Sequence, residues 1–288
     1  MSFRCFLTLC PLLLILLTAS CKKVRVDENI GRINAENFIE KDNQLFLHGK
    51  NTTVILHHDS SKIESGGILI QLPDEVSRDN DGVWRLSPRS VNFPANIFKP
   101  QNLEIRTIVI DPGHGGSDPG AMSANQKIKE KDLNLDLALK LGHALRLRGF
   151  NVLFTRDDDR TVPLSKRGDA YEADLFISIH HNASKNINAS GAETFCLLSD
   201  DITDDPRIIP AFQIACKIQQ FQSQASGNYG RGVKFAKFRV LKDARCPAIL
   251  FEAGFLTHPD EEKRCVSAEY RQIMAEALAQ GIARGVSL

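Results

Sequence analysis

The chain has 288 residues, of which 42% are hydrophobic and 25% are charged, and its formal net charge is +1. This length accommodates one large domain, or one domain plus a small one, and the composition is that of an ordinary globular protein. The near-neutral charge argues against nucleic acid as the main partner.

The N-terminus has the pattern of an export signal. Arg4 precedes the apolar segment 6–17, which is too short to cross a membrane and is followed by small residues and Cys21. This ending resembles a bacterial lipobox, in which the cysteine becomes the lipidated first residue; ordinary secretion with cleavage after Ser20 is the alternative. We expect residues 1–20 to be a signal peptide, Cys21 to carry lipid, and the protein to be a membrane-anchored lipoprotein of the periplasm, in either the inner or the outer membrane.

The next hundred residues lack a sharp functional motif. Residues 21–35 are polar and charged and are expected to form a tether. From 36 to 100, short β-prone runs alternate with Asn, Ser, Gly and Asp, which predicts a small β-rich module. Four cysteines follow it, and they permit three pairings between which the sequence does not choose. Because no CxxC pair is present, a thiolate metal site is not expected. These cysteines are Cys196, Cys216, Cys246 and Cys265.

Beyond residue 101 the pattern alternates between strand and helix. Strands are predicted at 106–110, 151–155, 175–180, 193–198 and 248–252, and helices at 132–148, 164–173, 208–222 and 267–284. Such alternation predicts an α/β domain over 101–288, built on a mainly parallel sheet that is covered by helices on both faces.

Three of the apolar strands end in a residue that can act in catalysis. His114 follows the first in a Gly/Pro-rich turn, His180 ends the third, and Glu252 ends the last, while Glu130 begins an amphipathic helix. Carboxyl ends of parallel strands meet at one edge of a sheet. Zinc hydrolases commonly use two histidines and a carboxylate, and leave the fourth position for water. A further carboxylate can then move the proton.

Six short motifs occur in a fixed order along this part of the chain. They are Asp-Pro-Gly-His-Gly-Gly-Ser-Asp-Pro-Gly-Ala (111–121), Glu-Lys-Asp-Leu-Asn-Leu (130–135), Thr-Arg-Asp-Asp (155–158), Leu-Ser-Lys-Arg (164–167), Ser-Ile-His-His-Asn-Ala (178–183) and Leu-Phe-Glu-Ala-Gly-Phe-Leu-Thr (250–257). Over about 105–286 the chain resembles the zinc-dependent N-acetylmuramoyl-L-alanine amidases of the amidase 3 type. The resemblance implies that His114, Glu130 and His180 hold one zinc ion per chain and that Glu252 is the catalytic carboxylate.

The resemblance also implies a reaction. A zinc-activated water would hydrolyse the amide between N-acetylmuramic acid and L-alanine of the stem peptide, with Glu252 as general base and then acid. The partner would be peptidoglycan, cut during growth or division. Two alternatives are a zinc carboxypeptidase acting on the stem peptide and a non-catalytic peptidoglycan-binding lipoprotein. His114, Glu130, His180 and Glu252 are all present, which argues against the non-catalytic protein, since binding alone does not need Glu252.

Several neighbouring residues are candidates for other roles. Asn182 and Glu193 lie near the expected edge, where they would bind substrate, orient a ligand or complete hydrogen bonds of the sheet. Arg231 offers a guanidinium fork to a peptide carboxylate. His181 is expected to face away from the metal because adjacent strand residues point to opposite faces. Arg167 is expected to be structural and to pair with an acidic neighbour.

Access to the site is predicted to be open. Some amidases of this type carry an added helical segment that occludes the zinc until a partner removes it. Here the comparable stretch, 198–248, must supply the crossover helix 208–222, and the remainder has no second long amphipathic pattern. We therefore expect that an activator protein is not strictly required; the alternative is that 208–222 itself folds over the metal. We also expect the protein to be a monomer.

Overall fold

The computed structural model describes residues 24–26, 33–123, 126–169, 171–199, 205–226 and 230–286. The predicted signal peptide and Cys21 lie outside the described residues. Within the predicted tether, Val26 and Ile33 are completely buried. Those two positions therefore belong to the packed structure, whereas the division of the chain into domains stays a prediction.

The first part of the chain is rich in β-strands, as its sequence predicts. The third and fourth strands alternate between buried and half-buried residues, so that one face packs inward. Strands two to six form an antiparallel meander. The elements are β1 (Val24–Arg25), β2 (Asn37–Lys41), β3 (Gln44–His48), β4 (Thr53–His57), β5 (Ser60–Ser65), β6 (Ile68–Arg78), β7 (Trp84–Leu86) and helix α1 (Asn92–Phe98).

The second part alternates between strands and helices. Its elements are β8 (Thr107–Pro112), α2 (Glu130–Arg146), β9 (Asn151–Phe154), β10 (Leu175–Asn182), β11 (Glu193–Leu197), α3 (Ile208–Ser226), β12 (Gly232–Ala236), α4 (Arg239–Asp243), β13 (Ala248–Phe255), α5 (Pro259–Val266) and α6 (Ala268–Gly285). Strands β9, β8, β10 and β13 are parallel neighbours, and β11 joins β13 in antiparallel orientation. The predicted α/β fold with a mainly parallel sheet and flanking helices is confirmed.

The two parts share one sheet and one core. β12 is parallel to both β11 and β6, and the β6 contact runs through Ile70 and Val233. The strand order is therefore β2-β3-β4-β5-β6-β12-β11-β13-β10-β8-β9. Buried apolar residues of both parts form one continuous cluster. The N-terminal strands are thus an extension of the sheet, which the sequence alone did not predict.

Several local features differ from the sequence predictions. The predicted helix at 164–173 is only one turn of 3₁₀ helix, Leu164–Lys166. Pro163 precedes this turn, and Gly168 follows it and packs against backbone atoms of α4. Strand β12 and the helices α1, α4 and α5 were not predicted. β12 offers only five residues of pattern, and α5 begins with the His258 cap and Pro259 shortly after β13 ends at Phe255.

Helix α3 is a structural crossover. It packs against α6 and the strands β11, β12 and β13. A β-carbon on Gly281 of α6 would lie 2.8 Å from the Cα of Ile218, so the glycine lets the two helices approach closely. The apolar face of α3 therefore packs inside the core. Within the described residues, no helix combines the length and apolarity needed to span a bilayer.

Candidate metal centre

Three of the predicted site residues converge at one edge of the sheet. One side-chain donor atom from each of His114, Glu130 and His180 lies within 4.8 Å of the other two. His114 Nε2 is 3.1 Å from Glu130 Oε2, and His180 Nδ1 is 2.8 Å from Glu130 Oε1. The two imidazole rings meet edge to face, with centroids 4.9 Å apart. The carboxylate therefore bridges two histidines that are distant in the chain.

The turn after β8 brings His114 into this position through an unusual backbone. His114 has φ = +60°, a conformation that residues with a side chain rarely adopt. Two glycines of this turn, one directly before His114 and one further along, leave room for the candidate ligands. A β-carbon on Gly113 would lie 2.2 Å from His180 Cε1, and one on Gly120 would lie 2.6 Å from Glu130 Oε2. Neither glycine can gain a side chain without displacing a candidate ligand.

Two buried arginines hold the carbonyl groups of this turn. Arg156, fully buried, donates to the backbone oxygens of Pro112 and Gly113 at 2.9 Å each. Arg167 donates to Pro112 O at 2.9 Å and to His114 O at 2.7 Å, and it pairs with buried Asp111 at 2.7 Å. Arg167 therefore has the structural role that the sequence predicts. Arg156, within one of the motifs quoted above, was not singled out, although it secures the same turn.

Glu130 is the first residue of α2 and is almost completely buried. Its Oε2 accepts from Ala121 N at 2.8 Å, and its Oε1 accepts from Asn134 Nδ2 at 3.0 Å. Burial opposes ionisation, but the contacts with His114 and His180 hold the pKa of Glu130 far below its usual range. The carboxyl is therefore kept ionised, as a metal ligand must be.

Asp118 contacts the far nitrogen of His114. Its Oδ2 lies 2.8 Å from His114 Nδ1, while Nε2 faces Glu130. Burial lowers the pKa of His114, but hydrogen bonds and charge from Glu130, and then from Asp118, raise it overall. A carboxylate is one of the usual partners of the outer nitrogen of a metal-binding histidine, since it fixes the ring and its tautomer. Asp118 is part of the first motif, but the sequence did not indicate this role.

Glu252 lies on β13, the strand between β10 and β11. It is in register with His180 on β10 and with Glu193 on β11, so the three side chains share one face. Its Oε2 is buried and has no hydrogen-bond partner among the described residues. Burial raises the pKa of Glu252 well above its usual value, and the nearby Glu130 and Glu193 carboxylates raise it further. A carboxyl in this setting takes up a proton readily.

The three other predicted site residues form one network beside Glu252. Asn182 Nδ2 donates to Glu193 Oε1 at 2.7 Å, and Arg231 Nε donates to Glu193 Oε2 at 2.6 Å. Lys234 also pairs with Glu193, and the Arg231 guanidinium lies over the ring of Phe255. Glu193 is only 3% exposed, so it is enclosed by its partners. Lys234 was missed because it lies in the strand that the sequence analysis did not predict.

The second histidine of the His-His pair lies on the other face of β10. His181 is buried, and its Nδ1 is 2.8 Å from Asn134 Oδ1. Burial lowers its pKa to about 3. It does not belong to the convergent group, in agreement with the alternation expected along a strand. Asn134 in turn contacts Glu130, so His181 supports α2 from below the site.

Comparisons with known proteins relate this chain to amidases. A family model described as N-acetylmuramoyl-L-alanine amidase matches residues 108–284. The chain is 32% identical over 226 residues to the probable cell wall amidase LytH of Staphylococcus aureus, covering 77% of this chain and 72% of that protein.

Solved structures are similar over the same region. An N-acetylmuramoyl-L-alanine amidase from Clostridium difficile 630 has a TM-score of 0.58 and 35% identity, over 63% of this chain and 96% of that one. AmiC2 of Nostoc punctiforme has a TM-score of 0.56 and 33% identity, over 62% and 96%. The CwlD amidase of Clostridioides difficile, solved in complex with the GerS lipoprotein, has a TM-score of 0.57 and 29% identity, over 62% and 98%.

Proposed function

The chain belongs to the N-acetylmuramoyl-L-alanine amidase family, and from that premise we propose that it hydrolyses the amide between the lactyl group of N-acetylmuramic acid and L-alanine of the stem peptide. The observation that carries this proposal is the His114–Glu130–His180 cluster next to a buried, unpartnered carboxyl oxygen of Glu252. A metal-binding group beside a proton-transfer group is what hydrolysis of an unactivated amide requires.

One zinc ion per chain fits the cluster. Two imidazoles and one carboxylate are the ligand types that catalytic zinc sites use. When bound, zinc acts as a Lewis acid on the amide carbonyl and lowers the pKa of water. His114, Glu130 and His180 would hold it, and Asp118 would keep the His114 ring oriented through Nδ1. Arg156 and Arg167 keep the turn in the conformation that presents His114.

Glu252 is proposed to move the proton. Its carboxylate takes a proton from the attacking water and delivers it to the nitrogen of the departing L-alanine amine. The burial that raises its pKa favours the protonated form needed for that second step. Its register with His180 places the carboxyl beside a proposed ligand, on the same face of the sheet.

The network beside Glu252 is proposed to contact substrate. Arg231 has 36% of its side chain accessible; its Nε donates to Glu193, and its Nη1 donates to Ser190 O at the long distance of 3.4 Å. We propose that Arg231 binds a carboxylate of the stem peptide. Asn182 would offer its amide to the peptide, and Glu193 would orient both residues from its buried position.

A zinc carboxypeptidase acting on the stem peptide would use the same ligands and base. The two activities leave different products from a soluble muropeptide. The amidase releases an intact peptide with a free L-alanine amine and leaves a muramic acid carboxylate, whereas the carboxypeptidase releases D-alanine. Mass spectrometry of the digest distinguishes them. Free D-alanine from an otherwise intact muropeptide would overturn the amidase proposal, and an unchanged muropeptide would favour the non-catalytic binder.

The site of action is proposed to be the periplasm, with a lipid anchor on Cys21. The relatives from Staphylococcus aureus are named as probable cell wall amidases, and the cell wall lies outside the cytoplasm. Cys21→Ser should move the protein from the membrane fraction to the soluble periplasmic fraction. A variant that still sediments with membranes would favour an uncleaved signal or another tether.

We propose that the site is open and that the protein is a monomer, with 36–100 as a β-rich module and 101–288 as the catalytic domain. Helix α3 packs against α6 and the sheet, which supports its assignment as a crossover helix. A similar amidase has been solved with a lipoprotein partner, so the need for a partner is worth testing here. The full mature chain should hydrolyse a soluble muropeptide without added protein. A zinc-loaded chain that is active only with a partner would contradict this.

A further inference from the structure

A large cavity lies where the N-terminal strands meet the catalytic region. It has a volume of about 570 Å³, within the range of small-ligand sites. Its walls come from the β3–β4 and β5–β6 turns, α1 and the segment after it, α3, and the end of α6. None of the residues that line it belongs to the metal cluster or the Glu252 network. We call this cavity the interdomain cleft.

The lining is rich in groups that bind sugars. Ile68 and Ile97 provide half-buried apolar surface against which the C–H face of a sugar ring can pack. Amide side chains donate and accept hydrogen bonds and match hydroxyl and acetamido groups. The cleft presents six of them: Asn51, Asn96, Gln101, Asn102, Gln213 and Gln220. Gln213 is 8% exposed, and its Oε1 has no hydrogen-bond partner in the described part of the chain.

The charge of the cleft is positive. Lys217 and Arg284 line it, and no aspartate or glutamate does so. The two cations share one wall, because a β-carbon on Gly285, next to Arg284, would lie 3.4 Å from Lys217 Cγ. Neither cation forms an ion pair with another described residue. A ligand of the cleft is therefore expected to carry a negative charge in addition to hydroxyl and amide groups.

We propose that the interdomain cleft binds a peptide-free glycan segment, that is, N-acetylated amino sugars whose lactyl groups end in a carboxylate. This inference rests on the proposed function, because that reaction converts the lactyl amide into the free carboxylate. The acetamido and hydroxyl groups match the amide side chains, and the carboxylate matches Lys217 and Arg284. The protein would thereby stay attached to glycan that it has already stripped, while the metal centre acts on a neighbouring stem peptide.

The test is a binding measurement on the full mature chain carrying Glu252→Gln, so that no ligand is consumed. Calorimetric titration uses three probes: a peptide-free oligosaccharide of alternating N-acetylglucosamine and N-acetylmuramic acid, a neutral N-acetylglucosamine tetramer, and a muropeptide. Lys217→Glu with Arg284→Glu should weaken binding of the acidic oligosaccharide at least tenfold, and should change binding of the neutral tetramer less than twofold. Asn51→Trp, which fills the cleft from an exposed turn, should weaken both.

The matched control reverses two charges elsewhere, at Lys62 and Arg239, and should leave all affinities unchanged. In chains that keep Glu252, the cleft variants should also retain wild-type turnover of a soluble muropeptide, which shows that they are folded. Unchanged binding of the acidic oligosaccharide in both cleft variants would overturn the proposal. If the wild-type chain lacks muropeptide turnover but the cleft still binds the acidic oligosaccharide, the proposed function fails and the cleft assignment stands.

Discussion

The two ends of the sheet are stabilised by different chemistry. The N-terminal strands bury side chains such as Leu45, Leu47, Val54 and Leu56 completely, and regular strand pairing satisfies their backbone. The edge that carries the His114–Glu130–His180 cluster instead buries charged groups, including Asp111, Arg156 and Glu130, around a turn with little regular structure. A turn leaves carbonyl groups unpaired, so buried arginines must supply the donors. Stability and chemistry are therefore expected to respond to substitutions in different regions.

The largest effect should come from removing a ligand. His114→Ala is expected to lose both zinc and turnover, because two remaining donors do not hold the ion in the required geometry. Metal analysis and a muropeptide assay measure this. Chelation should lower the Tm of the wild type by removing about 4 kcal/mol of stabilisation, if free zinc is near 1,000 times its Kd. The variant should not respond. His143→Ala, at an exposed position on α2, is the control and should keep its zinc.

The second effect separates the proton-transfer group from the ligands. Glu252→Gln should reduce turnover by about 10²–10⁴-fold or more, since one group serves as base and then as acid. It should keep its zinc and lose no thermal stability, because the carboxyl oxygen that it replaces is buried without a partner. Turnover and metal content are measured on the same sample. Glu172→Gln, at an exposed position, should behave as wild type; near-normal turnover of Glu252→Gln would show that another group moves the proton.

The third effect tests whether the buried arginines serve the site. Arg156→Lys retains the charge but loses the planar fork that reaches the carbonyls of Pro112 and Gly113. We expect zinc affinity to fall by about 10–100-fold, the range for loss of groups that orient metal ligands, because Arg156 holds the turn that carries His114. Competition with a chelator of known affinity measures it. Arg160→Lys, which pairs with Asp157 and Asp158 at the surface, is the matched control. Equal zinc affinity in both variants would assign Arg156 to general stability.

The smallest effect on activity should come from the apolar end of the sheet. Leu47→Ala removes a completely buried side chain and should lower the free energy of unfolding by about 2–5 kcal/mol. Turnover and zinc content per folded molecule should remain those of the wild type. Denaturant unfolding and active-site titration measure the two quantities. Ile39→Ala, with 57% exposure on an edge strand, should change stability by less than about 0.5 kcal/mol. A loss of zinc in Leu47→Ala would show that the two ends are coupled.

Much of the convergence at the cluster edge could be predicted from the sequence because its signals are local. A β-branched run followed by a Gly/Pro turn indicates a strand end, whatever lies elsewhere in the chain. His114 and His180 were identified in this way, and strand alternation alone assigned His181 to the opposite face. The interpretation failed where local patterns were short or ambiguous. The five residues of β12 gave no sufficient pattern, and Lys234 was lost with them.

By itself, the sequence determined the kinds of side chain that each strand end presents and the order in which they occur. The tertiary structure decided which atoms meet. Glu130 and His180 are 50 residues apart, and only the packing of α2 on β10 brings their atoms within 2.8 Å. Arg231 is a second example. The sequence predicted that it binds a substrate carboxylate, and the fold pairs it with Glu193. Contacts over such separations depend on sheet register and helix packing, which are set by the whole core rather than by the residues nearby.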